Sequence, residues 1–147
     1  MAAALLAACG QSPAGTDSTD PGTVAAAILE SVEFRDNLIK AEGEVAENFY
    51  RLDSSVDSYA IYISGSGATA EEIAVLKVAG TDKTADAKAI LEMRVDELKR
   101  RFEDYVPGEM VKLDQPVIIT EGVWAILVLA DDQSAARSAV RDALEPV

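Results

Sequence analysis

Asp57-Ser58-Tyr59-Ala60-Ile61-Tyr62-Ile63-Ser64-Gly65-Ser66-Gly67-Ala68-Thr69-Ala70-Glu71-Glu72-Ile73-Ala74-Val75-Leu76-Lys77 is the stretch that sets the fold class. Tyr59, Ile61 and Ile63 alternate with Ala60, Tyr62 and Ser64, the period of two that places one side-chain set on each face of a half-buried strand. Ser64-Gly65-Ser66-Gly67-Ala68-Thr69 then supplies turn formers, and residues 72–79 return as a second strand, so the segment reads as a β-hairpin.

Downstream the period changes. Asp82 or Thr84 caps a long helix over residues 83–105, whose stripe of Ala87, Leu91, Val95, Leu98, Phe102 and Tyr105 faces a core, and Pro107-Gly108 stops it. The pattern then repeats: a strand over 116–121, a turn at Glu121-Gly122, a strand over 123–130, and a helix over 133–144 with Ala136, Val140 and Ala143 on its apolar side. Asp82-Lys83-Thr84-Ala85 parallels Asp132-Gln133-Ser134-Ala135, so the chain carries a weak ββα pseudo-repeat, part of which capping preference alone produces.

Upstream, Thr23 caps a helix over 23–32 with Val24, Ile28 and Val32 in register, and a short helix over 44–50 sets Val45, Phe49 and Leu52 on one side. The expected architecture is α+β: a four-stranded, mainly antiparallel sheet from two ββα units, preceded by two N-terminal helices, with both long helices on one sheet face. Val117 to Ile119 and Val123 to Leu129 are apolar at consecutive positions, which calls for burial on both faces, and the N-terminal helices are the expected cover of the second. A partner protein, a second copy or an apolar ligand near Tyr62 or Trp124 is the alternative cover.

The 147 residues hold one domain, taken as residues 23–147. Thirteen Lys plus Arg against 26 Asp plus Glu give a net charge of -13, which disfavours nucleic acid and anionic headgroups as partners and favours solvated carboxylate faces. The only cysteine, Cys9, closes Leu6-Ala7-Ala8-Cys9-Gly10, a lipobox-like end of an export signal: small residues for the lipidating enzymes, then a thiol that becomes a thioether. Residues 1–8 are too short for an apolar signal core and carry no Lys or Arg, so residues 1–9 read as a truncated lipoprotein signal whose start lies upstream. Residues 10–22, rich in Gly, Ser, Thr, Asp and Pro, read as a flexible linker. With Cys9 acylated the mature chain has no other thiol, so it has no disulfide and no redox role. The expected location is extracytoplasmic, on the outer face of the cell membrane, with the lipid bilayer as partner through Cys9.

Catalytic signals are sparse. The chain has no histidine, which removes a Ser-His-Asp triad, a His-ligated zinc and a histidine base. A Ser66 and Lys77 acyl-transfer pair has unspecific spacing, as does any glycosidase-like carboxylate pair among 26 acids. Asp17, Asp20, Asp53, Asp57, Asp131 and Asp132 form no calcium loop and read as caps and turn formers. No enzyme activity, cofactor or metal is therefore expected. The candidate binding residues are Ser64, Gly65, Ser66, Gly67, Glu71 and Glu72: the glycines let backbone amides approach a ligand, the hydroxyls bond it, and the two glutamates bring charge.

Asp57-Ser58-Tyr59-Ala60-Ile61-Tyr62, the run Ser64 through Lys77, and Leu113-Asp114 before Val117-Ile118-Ile119 resemble the bacterial lipoprotein family known as domain of unknown function 4358. The resemblance spans residues 24–144 and implies a small extracytoplasmic lipoprotein of Gram-positive bacteria, with no activity, substrate or catalytic residue to carry over. Two classes stay open: a surface-tethered binding or accessory module facing a wall component, a small solute or another protein, and a structural subunit that dimerises through its sheet.

Overall fold

The computed structural model describes residues 18–146; Cys9, the lipobox and residues 10–17 of the expected linker lie outside them. Its sheet is five-stranded, not four-stranded, in the order β1-β2-β3-β5-β4 with every pair antiparallel: β1 Leu38–Ala41, β2 Val56–Ser64, β3 Glu72–Val78, β4 Val117–Glu121 and β5 Trp124–Leu129. The expected hairpins are β2–β3 and β4–β5, joined along β3 and β5 through pairs such as Ile73 with Val128 and Lys77 with Trp124. The added strand is β1, laid against β2 with Leu38 opposite Ser64 and Ala41 opposite Ile61.

Five α-helices accompany the sheet: α1 Pro21–Ser31, α2 Glu44–Tyr50, α3 Thr84–Tyr105, α4 Met110–Asp114 and α5 Gln133–Leu144. Helix α1 starts two residues before the expected boundary because Asp20, not Thr23, caps it, its carboxylate accepting from the Gly22 amide at 2.8 Å, with Pro21 in the first turn. Helix α5 is capped as its sequence suggests, Asp132 accepting from the Ala135 amide at 2.9 Å. A 3-10 turn at Thr81–Lys83 leads into α3, and another at Pro107–Glu109 follows it. No helix of the described residues is long and apolar enough to cross a membrane.

The two long helices lie on opposite faces, which corrects the expected arrangement. Ala46 and Tyr50 of α2, Leu91, Val95, Leu98 and Phe102 of α3, and Leu113 of α4 pack on Ile61, Ala74, Leu76, Ala125 and Leu127. On the other face Val24, Ala25 and Ile28 of α1, with Ala136, Val140 and Leu144 of α5, cover Ala60, Ile73, Val75, Trp124, Ile126 and Val128. Five strands about 4.8 Å apart need roughly two helices about 10 Å across per face, and either arrangement supplies two. Strand parity follows the one adopted: Val78, the last residue of β3, points to the face that α3 covers, and Ala130, just past β5, points to the face of α5. An approximate dyad exchanging the two hairpins of this antiparallel sheet would keep both helices on one face, so the ββα resemblance does not extend to a symmetric three-dimensional duplication. The consecutive apolar residues of β5 are all buried, as burial on both faces demands.

Candidate functional site

The two ends of this sandwich differ in chemistry. At one end the backbone carbonyl of Thr19 accepts from Lys77 Nζ at 3.1 Å, and the Lys77 ammonium lies 5.3 Å from the centroid of the Trp124 ring. At the other, β2 ends and β3 begins, and there sit the five buried charged side chains of the described residues: Glu71, Glu72, Arg94, Glu109 and Lys112. From Glu72 to Lys77 the strand advances about 17 Å at roughly 3.3 Å per residue.

Glu72 is 3% exposed and faces α3, where Arg94 grips it through Nε at 2.8 Å and Nη2 at 2.9 Å. Tyr50 of α2 donates its hydroxyl to the same carboxylate. The Arg94 guanidinium also lies 4.8 Å from the Phe49 ring centroid and 5.5 Å from that of Tyr50. Burial works against the charged guanidinium, but the hydrogen bonds and attraction of Glu72 outweigh it and raise the Arg94 pKa; burial first, then the Glu72 charge, pushes the Tyr50 phenol well up.

The neighbouring Glu71 points to the opposite side, as strand alternation requires. Its carboxylate accepts from the backbone amides of Arg35 at 2.9 Å and Asp36 at 2.8 Å, and from Thr69 Oγ1 at 3.2 Å, so it closes the loop between α1 and β1. Glu109 accepts from the Ala70 amide at 2.8 Å, Lys112 Nζ at 2.7 Å and Arg35 Nη2 at 2.6 Å. Asp131 completes the cluster, taking Arg35 Nε at 2.8 Å and Lys112 Nζ at 3.2 Å. Burial alone would raise the Glu109 pKa, yet the bonds from Lys112 and Ala70 hold it below its usual value; for Arg35 the charge of Asp131 is the chief reason its pKa is raised.

The serines and glycines of the hairpin serve the turn itself. Ser64 and Ser66 donate their hydroxyls to Asp36, and the Ser66 amide adds a bond at 3.1 Å. Those donors, the Ser64 hydroxyl foremost, lower the Asp36 pKa to about 2. The Gly65 amide donates to the Asn37 carbonyl at 3.0 Å, and a Cβ at Gly65 would fall 2.6 Å from that oxygen. The glycines and hydroxyls expected to meet a ligand thus spend most of their bonding on the loop before β1. Ser66 is remote from Lys77, at the opposite end of β3, so the structure does not assemble that pair.

A small cleft of about 30 Å³, room for about one water molecule, nevertheless opens beside the hairpin, between it and the α2–α3 layer. Ser64, Gly67 and Glu72 line it from the predicted set, joined by Thr69, Arg94 and Arg101, with Phe49, Ile63, Leu98 and Phe102 as its apolar wall. Gly65, Ser66 and Glu71 are not among its walls. Gly67 has φ +71°, a left-handed turn conformation that favours glycine, while a Cβ there would meet Arg101 Nη2 at an ordinary 3.4 Å contact. Sequence reasoning missed Arg94, Arg101 and Tyr50. Their signal was present for Arg94, a charged residue one position from Val95 on the apolar stripe of α3. Most of the aspartates read as caps and turn formers have structural duties here: Asp20 and Asp132 cap helices, Asp53 accepts from the Ser55 amide at 2.8 Å, and Asp131 pairs with Arg35 and Lys112.

No curated protein and no solved structure matches this chain. The model of a family described as domain of unknown function (DUF4358) matches residues 30–130, more than half of the 147 and inclusive of the whole sheet, the cleft, the Glu72–Arg94 pair and every member of the second cluster but Asp131. The chain therefore belongs to the DUF4358 family.

Proposed function

We propose that this protein is an extracytoplasmic lipoprotein, anchored to the outer face of the cell membrane through acylated Cys9, and that it works there as a binding or accessory module rather than as an enzyme. The observation that carries the reading is the separation of its two ends. The segment that follows Cys9 enters the domain at Thr19, held by Lys77, while the cleft and all five buried charges gather at the other end of β3. Buried ion pairs are poor stabilisers, because desolvation offsets most of the Coulomb attraction, and their best-attested use is to fix one geometry. Here the Glu72–Arg94 pair fixes one wall of the cleft: Arg94 is locked by two bonds to Glu72 and by the rings of α2, a support that preorganises a binding surface. An anchor at one end and a rigid cleft at the other suit a module that meets its ligand away from the bilayer, where tethering raises effective concentration.

The test is metabolic labelling with a radioactive fatty acid in a Gram-positive host, using the chain behind a complete export leader. Wild type should take up label and sit in the membrane fraction, open to added protease, whereas Cys9→Ser should stay unlabelled. An unlabelled, protease-protected cytosolic wild type contradicts the reading.

A further inference from the structure

We infer that β4 is the surface through which two copies of this chain associate, edge to edge and antiparallel, about a two-fold axis at Ile119. The pairing does not depend on acylation of Cys9, and it adds a second copy as a partner to the module proposed above.

Backbone geometry comes first. Gly122-Val123 is a two-residue connection, so Glu121 and Trp124 close the hairpin as a hydrogen-bonded pair, and the ladder alternates from there through Ile119 with Ile126 and Val117 with Val128. The far side of β5 agrees: the Val78 amide donates to the Val123 carbonyl at 2.9 Å, which turns Ala125, Leu127 and Leu129 toward β3 and leaves Trp124, Ile126 and Val128 to β4. Ile118 and Thr120 therefore aim their amides and carbonyls away from the sheet, and no other element among the described residues bonds them.

The sheet has two edges, and this one is unguarded. Natural edge strands carry charge, proline or a bulge that discourages a further strand. Strand β1 has four residues, and Lys40 within it pairs with Glu42 at 2.6 Å. Strand β4 reads Val-Ile-Ile-Thr-Glu, with an unbroken register and neither a cation nor a proline.

A second copy complements this edge. With the axis at Ile119, Ile118 of each copy lies opposite Thr120 of the other and the two exchange both backbone bonds, while Ile119 meets its own copy. Ile118 belongs to the α3 face and Ile119 to the face of α1 and α5, so apolar side chains meet across the axis on both sides of the sheet. Charge matches as well. Thr84 Oγ1, at the start of α3, donates to the Gly122 carbonyl at 2.7 Å, and Ile119 lies about 10 Å along β4 from that point. The same advance along α3, at about 1.5 Å per residue, reaches residues 90–91, between Lys88 and Glu92. Those two share a flank of α3 with Lys99, which reaches Asp114 just before β4, whereas Arg94 and Glu97 on the other flank face Tyr50 and Arg51 beside α2. The axis thus sets Lys88 of each copy toward Glu92 of the other.

Analytical ultracentrifugation of the full 147-residue chain, kept reduced so that Cys9 cannot crosslink copies, tests the pairing. Wild type should show a reversible monomer–dimer equilibrium at concentrations up to about 0.5 mM. Association should strengthen as salt is raised from about 0.05 to 0.5 M, because two bodies of net charge -13 repel until screened. Thr120→Pro deletes an amide that the ladder with β5 does not use, so the variant should keep its circular dichroism spectrum and dimerise at least about tenfold more weakly, two interchain bonds being lost. Thr120→Lys, at an exposed position, guards the same edge with charge and should weaken the dimer too. Lys88→Glu should weaken it, and adding Glu92→Lys should restore it, since the exchanged charges match again across the axis. Lys40→Thr, on the β1 edge, should dimerise as wild type does. A chain that stays monomeric at every concentration and salt, a dimer that folded Thr120→Pro and Thr120→Lys leave intact, or growth beyond two copies overturns the pairing. A dimer indifferent to Lys88→Glu overturns the axis at Ile119.

Discussion

Arg94→Met is the perturbation that bears hardest on the buried pair beneath the cleft. The substitution keeps an apolar stem of similar length but deletes the bonds to Glu72 at 2.8 and 2.9 Å and the contacts with the rings of Phe49 and Tyr50. Glu72 stays 3% exposed with the Tyr50 hydroxyl as its remaining donor. Breaking one side of a buried ion pair costs about 3–5 kcal/mol, because the surviving charge is left desolvated and uncompensated. Against a total stability of about 5–15 kcal/mol, that is a large share. With a urea dependence of about 1–3 kcal/mol per molar for small domains, the unfolding midpoint should fall by on the order of 2 M without a change in slope. Combining Glu72→Met with Arg94→Met removes both charges and should recover most of the loss, since apolar replacement of a whole buried pair is often neutral or better. The double variant still strands the Tyr50 hydroxyl, at about 1–3 kcal/mol, and adding Tyr50→Phe should relieve that deficit. Equilibrium urea unfolding followed by Trp124 fluorescence reads all three. An Arg94→Met cost under about 1 kcal/mol would refute the reasoning, because Glu72 would then be solvated or supported by groups other than those named.

Asp36 supplies a pH prediction. Its pKa is depressed to about 2 by Ser64 and Ser66, so its contribution is fully present above the unfolded value near 4 and disappears as pH falls through about 2. The stability gap between wild type and Asp36→Asn in acid titrations should therefore shrink from pH 4 downward and close near the lower value; a gap constant with pH counts against the hairpin holding Asp36 as a carboxylate. Gly65→Ala forces a Cβ to within 2.6 Å of the Asn37 carbonyl and should cost about 1–3 kcal/mol through loss of the β1 docking bond, visible as faster amide exchange at Gly65. Lys112→Met should destabilise by about 2 kcal/mol in urea unfolding, less than Arg94→Met, because Glu109 keeps Arg35 and the Ala70 amide as partners; a larger loss than Arg94→Met would reverse that ranking of the two clusters.

The legible parts of this fold are those that local chemistry decides. Helix α2 at Glu44–Tyr50 and helix α5 at Gln133–Leu144 fall where spacing and capping place them, and the hairpin turn at Ser64 to Thr69 follows from its glycines and hydroxyls. Strand β1 was not legible: four residues, Leu-Ile-Lys-Ala, carry no usable period, and their extended state comes from the register that β2 imposes. Helix α4, five residues after Pro107-Gly108, is equally short, and its Lys112 is buried through partners 3 and 19 positions away. The faces chosen by α3 and α5 escaped because an apolar stripe shows that a helix is covered, not which side of a two-faced sheet covers it. At the site, Glu72 was legible as a charged group beside the hairpin, but its partners came from 22 residues on either side, a juxtaposition only the folded sheet makes.

In the proposed function the hairpin end of the sheet is the ligand-facing end. Amide-resolved NMR of the full chain titrated with soluble fragments of cell wall tests it most directly. Shifts should saturate together at Phe49, Ile63 to Thr69 and Arg94 to Phe102, with α1 and α5 silent. Shifts confined to α1 and α5, or to the end near Thr19 and Lys77, would contradict it.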